Sequence, residues 1–239
     1  MSEPTRTEQV TVDGGSFDLH VWLPPQTTGP GILLLQEIFG VGAYIKAVAA
    51  RLAREGYVVG APDLFWRIRP GFAADHDEAG LAEAFEMVGS FDAEKGVADS
   101  VAALGTLKGL DEVRGGTGAL GFCLGGTMAH LVAAEGDPDA AVSYYGSGVA
   151  ESVGRLSDIT CPVLYHFGGN DDFIPSEQVQ AVVDAVEASG RDDLRVDVHA
   201  AAGHAFDNHE APMFHDVDAA AAAWATTVTF LAEHLNRGE

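Results

Sequence analysis

From about residue 30 onward the chain alternates between two kinds of segment, and this alternation constrains the fold more than any other feature. Short runs without polar interruption, such as Gly31-Ile-Leu-Leu-Leu, read as strands buried on both faces. Between them lie longer stretches with helical spacing. The first, 44–55, carries Ile45, Val48, Ala49 and Leu52 on one side and stops at Gly56. Further strands are predicted at 57–60, 118–122, 140–145, 163–167 and 194–198, and helices at 81–88, 94–107, 124–134, 177–188 and 217–234. Ahead of them, alternating segments 8–12 and 17–22 flank Asp13-Gly-Gly, a hairpin signal. The pattern predicts an α/β fold: a mostly parallel central sheet with helices on both faces and an N-terminal antiparallel hairpin. Ligands in such sheets sit beyond the carboxyl ends of the strands. Residues 61–78, with Pro, Gly and aromatics expected to be exposed, read as a long loop of the functional or mobile kind.

Length and charge narrow the function classes. With 239 residues and 47% apolar content, the chain has the size to bury about 70–75% of its unfolded surface without disulfides or a structural metal. It shows no repeat, linker or composition break, so one domain over 1–239 is expected. Thirteen Lys+Arg against 36 Asp+Glu give a net charge of −23, and the only lysines are Lys46, Lys95 and Lys108. Such a chain repels a polyanion and offers no basic patch, which excludes nucleic acid as a partner. An acidic, lysine-poor surface also suits a salt-rich cytosol. Two cysteines, Cys123 and Cys161, make neither a disulfide scaffold nor a CxxC zinc site. Neither a signal-peptide pattern at the start nor an 18-residue apolar run is seen, so a cytoplasmic protein with no membrane partner is expected.

Gly121-Phe-Cys-Leu-Gly-Gly follows a predicted strand and opens a predicted helix, the setting of a nucleophile elbow with Cys123 in the nucleophile's place. Glycines there leave room for a sharp turn, and the helix N-terminus favours thiolate. The plainer alternative is a small buried hydrophobe, the role assigned to Cys161 before Pro162. An acid and a histidine follow in α/β-hydrolase order: Asp171 in the Gly-rich turn after one strand, His204 in the loop after the next. Taken singly, Asp171 could be a turn residue and His204 an ordinary loop histidine. His204, His209 and His215 with Asp207 and Asp216 fit no metal-ligand spacing, and no phosphate-cradling or dinucleotide motif occurs; no metal or cofactor is expected.

Gln36-Glu-Ile-Phe-Gly-Val, Pro62-Asp-Leu-Phe, Gly121-Phe-Cys-Leu-Gly-Gly, Tyr144-Tyr-Gly, Gly168-Gly-Asn-Asp-Asp-Phe-Ile-Pro and Ala202-Gly-His-Ala-Phe together resemble the dienelactone hydrolase family (carboxymethylenebutenolidases) over 8–235. The resemblance implies an α/β-hydrolase fold with Cys123 as nucleophile, His204 as general base and Asp171 as its orienting carboxylate. It further implies a catalytic role for Glu37, which contacts the resting thiol and helps deprotonate it when substrate arrives, the sulfur staying protonated until then; the alternative for Glu37 is a cap on the helix starting near Val41. Backbone amides of Ile38 and Leu124 would form the oxyanion hole, and Phe39, Tyr145 and Phe173 would line the pocket unless they are packing residues. The sequence departs from the family at two arginines that hold the substrate's carboxylate. None occurs in Asp77-Glu-Ala-Gly-Leu-Ala-Glu-Ala, and Asn208 stands at the second position. Arg67 and Arg69 are the nearby candidates to replace them, or else solvated loop residues. The expected activity is hydrolysis of enol-lactones or activated esters through a thioester. A carboxylesterase or thioesterase without lactone preference, and a non-catalytic ligand-binding protein of the same fold, are the alternatives. The partner would be a small-molecule ester or lactone, and the chain a monomer or weak homodimer.

Overall fold

The structure is a computed structural model that describes residues 3–236. The uninterrupted apolar runs become strands with no exposed face. β3 (Gly29–Leu35) is fully buried over its last five residues, and β4 (Val58–Pro62), β6 (Ala140–Tyr144) and β7 (Val163–Gly168) are buried throughout. The hairpin strands β1 (Arg6–Val12) and β2 (Gly15–Trp22) alternate in exposure, as strands with one wet face do. With β5 (Val113–Phe122) and β8 (Leu194–His199) they form one eight-stranded sheet in the order β1-β2-β4-β3-β5-β6-β7-β8. Only the β1–β2 and β2–β4 pairs are antiparallel.

Chain order reverses between β3 and β5: the chain leaves β3 toward β4 on one side and later builds β6, β7 and β8 on the other. Such a reversal leaves a crevice at the strands' carboxyl ends. Side-chain parity along β5 shows that both of its faces are covered. Positions 116 and 118 face Leu235 of α6 (Val217–Leu235), and position 121 faces Gly125 of α4 (Leu124–Glu135). α3 (Ala93–Lys108) packs on α4, while α1 (Ala43–Arg54) meets α6 where Arg51 lies over the Trp224 ring at 3.6 Å. α1 buries Ile45, Val48, Ala49 and Leu52, the stripe read from the sequence. α5 (Ser176–Ser189) lies against β8.

Every predicted strand and helix is present, with shifted ends. β5 begins at Val113 rather than at 118, because Gly29↔Val113 pairing recruits a stretch whose Arg, Gly and Thr residues carry no apolar pattern. α2 (Glu78–Gly89) starts three residues before the predicted position, at the Asp77 N-cap, whose side chain accepts from Gly80 N–H at 2.8 Å. A 3-10 turn (Val153–Asp158) has no counterpart in the prediction.

The long loop is corrected in character. Its aromatics are not exposed: Phe65 and Phe72 are buried with Met87 in a small second core, and Trp66 stacks on Phe17. Asp63 folds the loop by accepting from the N–H groups of Phe65 (3.1 Å) and Gly71 (2.6 Å). Among the described residues no helix is long and apolar enough to cross a membrane.

Candidate active site

β5 delivers Cys123 as the N-cap residue of α4, with φ 53° and ψ −114°, a conformation that non-glycine residues rarely adopt. The flanking glycines make the turn sterically feasible. A Cβ on Gly121 would stand 2.0 Å from the Gly125 carbonyl oxygen, and one on Gly125 would stand 2.2 Å from that of Leu35. The elbow is thus pressed backbone to backbone onto the end of β3.

β7 and β8 bring the other two residues to the same edge. His204 Nε2 lies 3.2 Å from Cys123 Sγ, and its Nδ1 lies 2.9 Å from Asp171 Oδ2. The other Asp171 oxygen accepts from the N–H groups of Phe173 (2.8 Å) and Ile174 (3.0 Å), so the carboxylate is fixed by its own turn. Burial opposes charge on His204, but the hydrogen bonds to Asp171 and Cys123, with their negative charges, outweigh it and push its pKa up to about 10. Burial also pushes Cys161 up, to about 11, which keeps it a thiol.

Leu124 opens α4, so helix geometry leaves its amide without an intrahelical acceptor. Ile38 lies in the turn closed by Gly40 N–H donating to the Glu37 carbonyl at 3.3 Å. Phe173 is exposed, its ring centroid 5.1 Å from that of His204. Tyr145 is fully buried, in the left-handed region at φ 39°, and packs on His204 and Phe206 at 5.2 Å each. It lies beneath the histidine rather than at the surface of the cleft. Phe39 is half-buried against the His76 ring, with centroids 4.1 Å apart.

Glu37 is where the structure departs most from the sequence reading. Among the described residues no hydrogen bond joins it to Cys123, and it does not cap α1, since no N–H of that helix donates to its carboxylate. Its carboxylate, with a side chain only 4% exposed, instead lies 2.5 Å from His76 Nε2 and accepts from Asn208 Nδ2 at 3.1 and 3.3 Å. Sequence reasoning missed His76, a lone histidine in an irregular loop whose spacing carries no signal. Asn208 figured there only as a missing arginine. Ala205, in the left-handed region at φ 54°, turns the loop after β8 so that His204 and Asn208 reach different partners.

Arg67 and Arg69 are not brought to this cluster. Arg67 makes a two-pronged pair with buried Asp99 (2.8 and 2.9 Å) and reaches the hairpin-turn carbonyl of Asp13, while Arg69 pairs with Glu83 at 2.6 Å. Among the described residues no group of three or more His, Cys, Asp or Glu is arranged to hold a metal ion.

A mostly parallel sheet with a cysteine on a strand–turn–helix elbow, followed in chain order by an acid and a histidine, defines an α/β-hydrolase. The dienelactone hydrolase family profile matches residues 17–235. The chain is 38% identical over 213 residues to a carboxymethylenebutenolidase of Pseudomonas sp. strain P51, covering 87% of this chain and 88% of that one. It is 36% identical over 204 residues to a carboxymethylenebutenolidase of Pseudomonas putida, covering 84% and 86%. A crystal structure of a dienelactone hydrolase-like promiscuous phosphotriesterase from metagenomic libraries superposes with TM-score 0.80 at 25% identity, covering 97% and 98%. The chain belongs to the dienelactone hydrolase family. With that membership comes its enzyme class, a hydrolase acting on ester or lactone bonds.

Proposed function

We propose that this protein hydrolyses enol-lactones or activated carboxylic esters through a Cys123–His204–Asp171 triad and a thioester intermediate. The observation that carries the reading is the continuous line from Cys123 Sγ through His204 to Asp171, at 3.2 and 2.9 Å, on an elbow held in strained geometry.

The Cys123 thiolate attacks the carbonyl carbon; a C–S bond forms and the carbonyl π electrons move onto oxygen, where the amides of Leu124 and Ile38 receive the charge. Collapse restores the C=O bond and breaks the bond to the leaving oxygen, which takes the proton from the His204 imidazolium. The neutral imidazole then removes a proton from water as it attacks the thioester. C–S cleavage releases the acid and restores the thiolate–imidazolium pair. Asp171 keeps the His204 tautomer and ring orientation throughout. Because a thiolate is itself readily expelled, esters with good leaving groups are favoured over amides.

Hydrolysis of a dienelactone beside a neutral aryl ester, by wild type and Cys123→Ala, tests this reading. Turnover of either by wild type alone is expected, and undiminished turnover by Cys123→Ala would overturn it. One observation favours a second reading, an esterase with no preference for anionic lactones: Arg67 and Arg69 are engaged by Asp99 and Glu83. On that reading the neutral ester has the higher kcat/KM.

A further inference from the structure

Glu37, His76 and Asn208 come from the end of β3, the loop before α2 and the loop after β8, and their side chains meet almost out of contact with solvent. The Glu37 and His76 side chains are 4% and 8% exposed, and Asn208 is buried. At 2.5 Å the imidazole–carboxylate contact is a charge-assisted hydrogen bond, the strong kind. The Asn208 amide nitrogen lies farther from the same carboxylate, at 3.1 and 3.3 Å, and stands 2.9 Å from His76 Nε2.

His76 is held in place on both sides. Before it, Ala74 N–H donates to the Phe39 carbonyl at 3.0 Å and Gly40 bridges to Ala73; after it, Asp77 caps α2. Its ring also lies on Phe39. The imidazole is therefore built into its position rather than drawn there by a flexible chain.

The sheet register says what this arrangement does. Leu35 of β3 pairs with Gly121 of β5. Glu37 and Cys123 each follow two residues later, at the ends of neighbouring strands whose axes run about 4.8 Å apart. A carboxylate left free at the end of β3 stands beside the sulfur, and like charge disfavours thiolate. We propose that His76 is a positioning residue that ties the Glu37 carboxylate to Asn208 and so leaves the Cys123 sulfur paired with His204 alone. The inference rests on Cys123 as the nucleophile but concerns the reactivity of its sulfur, which is measured without turnover.

The test is the rate at which iodoacetamide alkylates Cys123 in the absence of substrate, followed by mass spectrometry of the modified peptide. His76→Phe keeps a ring against Phe39 and removes the nitrogen. At pH values below the apparent pKa of the thiol it should be alkylated about tenfold more slowly, the effect of raising that pKa by about one unit. Adding Glu37→Gln to His76→Phe removes the released charge and should restore the wild-type rate to within about twofold. On an aryl ester, His76→Phe should lower kcat more than it changes KM. A wild-type alkylation rate in His76→Phe overturns the proposal, as does a double variant as slow as the single, which would mean that His76 matters only for packing. Where His76→Phe does not fold, His76→Gln keeps a donor to the carboxylate and should retain the alkylation rate to within about threefold; a tenfold loss there is equally fatal. If turnover survives Cys123→Ala, the nucleophile assignment fails while the alkylation series still decides whether His76 restrains Glu37.

Discussion

Cys123, His204 and Asp171 meet in a line along the ends of β5, β8 and β7, whereas Glu37, His76 and Asn208 meet in a knot beyond the end of β3. Local structure holds the line. Cys123 is fixed by its elbow, and Asp171 by two backbone N–H groups of its own turn. The knot is assembled across the chain: its side chains come from separate segments, 39 residues apart for His76 and Glu37 and 171 for Asn208 and Glu37. The backbone frames of Cys123 and Asp171 therefore do not depend on the other side chains of the line. Loss of one from the knot releases the others, and its effect passes through their rearrangement.

Cys123→Ala gives the largest expected effect and the sharpest contrast. Turnover should fall by about 10⁶-fold, as for a triad nucleophile, with an unchanged circular dichroism spectrum. If His76→Phe proves equally inactive, the division of the cleft into a reacting line and a positioning knot fails.

Asp171→Asn should cost about 10⁴-fold in kcat. It should also move the alkaline limb of the kcat/KM profile. In wild type, activity that depends on the imidazolium should fall as pH rises through about 10, to which His204 is raised. Because the Asp171 bond is the strongest influence holding that proton, the limb should move to lower pH in the variant; an unmoved limb would show that something else holds the proton. The same bond contributes to stability below about pH 6.5, the ordinary histidine value, and this contribution is lost as pH rises through about 10.

Asp207 lies between His204 and Asn208 in the chain and so joins the two halves. Burial pushes its carboxyl up to about 6, against a hydrogen bond from the Tyr44 hydroxyl at 2.7 Å, and its other oxygen has no hydrogen-bond partner. The folded state thus holds the proton more tightly than the unfolded chain does. Stability is favoured at pH below about 4 and lost as pH rises through about 6, by on the order of 3 kcal/mol. Asp207→Asn should remove that fall, which urea unfolding at pH 4.5 and 7 would measure. Parallel behaviour of variant and wild type would place the strain elsewhere.

Cys161→Ala is the smallest perturbation. A buried thiol held protonated takes no part in the line, so turnover should be unchanged and stability lower by about 1 kcal/mol in the same unfolding measurement. Loss of activity in this variant would mean that Cys123 is not the only reactive sulfur.

Most of the fold was legible because strand and helix periods are local properties of the chain. The predicted runs in β3, β4, β6 and β7 became buried strands, and the stripe on 44–55 became the buried face of α1. Illegible parts were those whose structure depends on a distant partner. The first residues of β5 form a strand because β3 pairs with them, and the aromatics of the long loop are buried because Met87 of α2 meets them. Arg67 and Arg69 looked like free cations in sequence, but Asp99 and Glu83, far along the chain, take them up.

What the sequence determined by itself was the α/β layering and the order of Cys123, Asp171 and His204 after successive strands. A parallel sheet brings the ends of its strands to one edge, so order alone was enough to bring these residues together. Only the tertiary structure decided where the Glu37 carboxylate points. That choice depends on side chains from three separate segments meeting in a buried space, and no local period or turn residue encodes such a meeting.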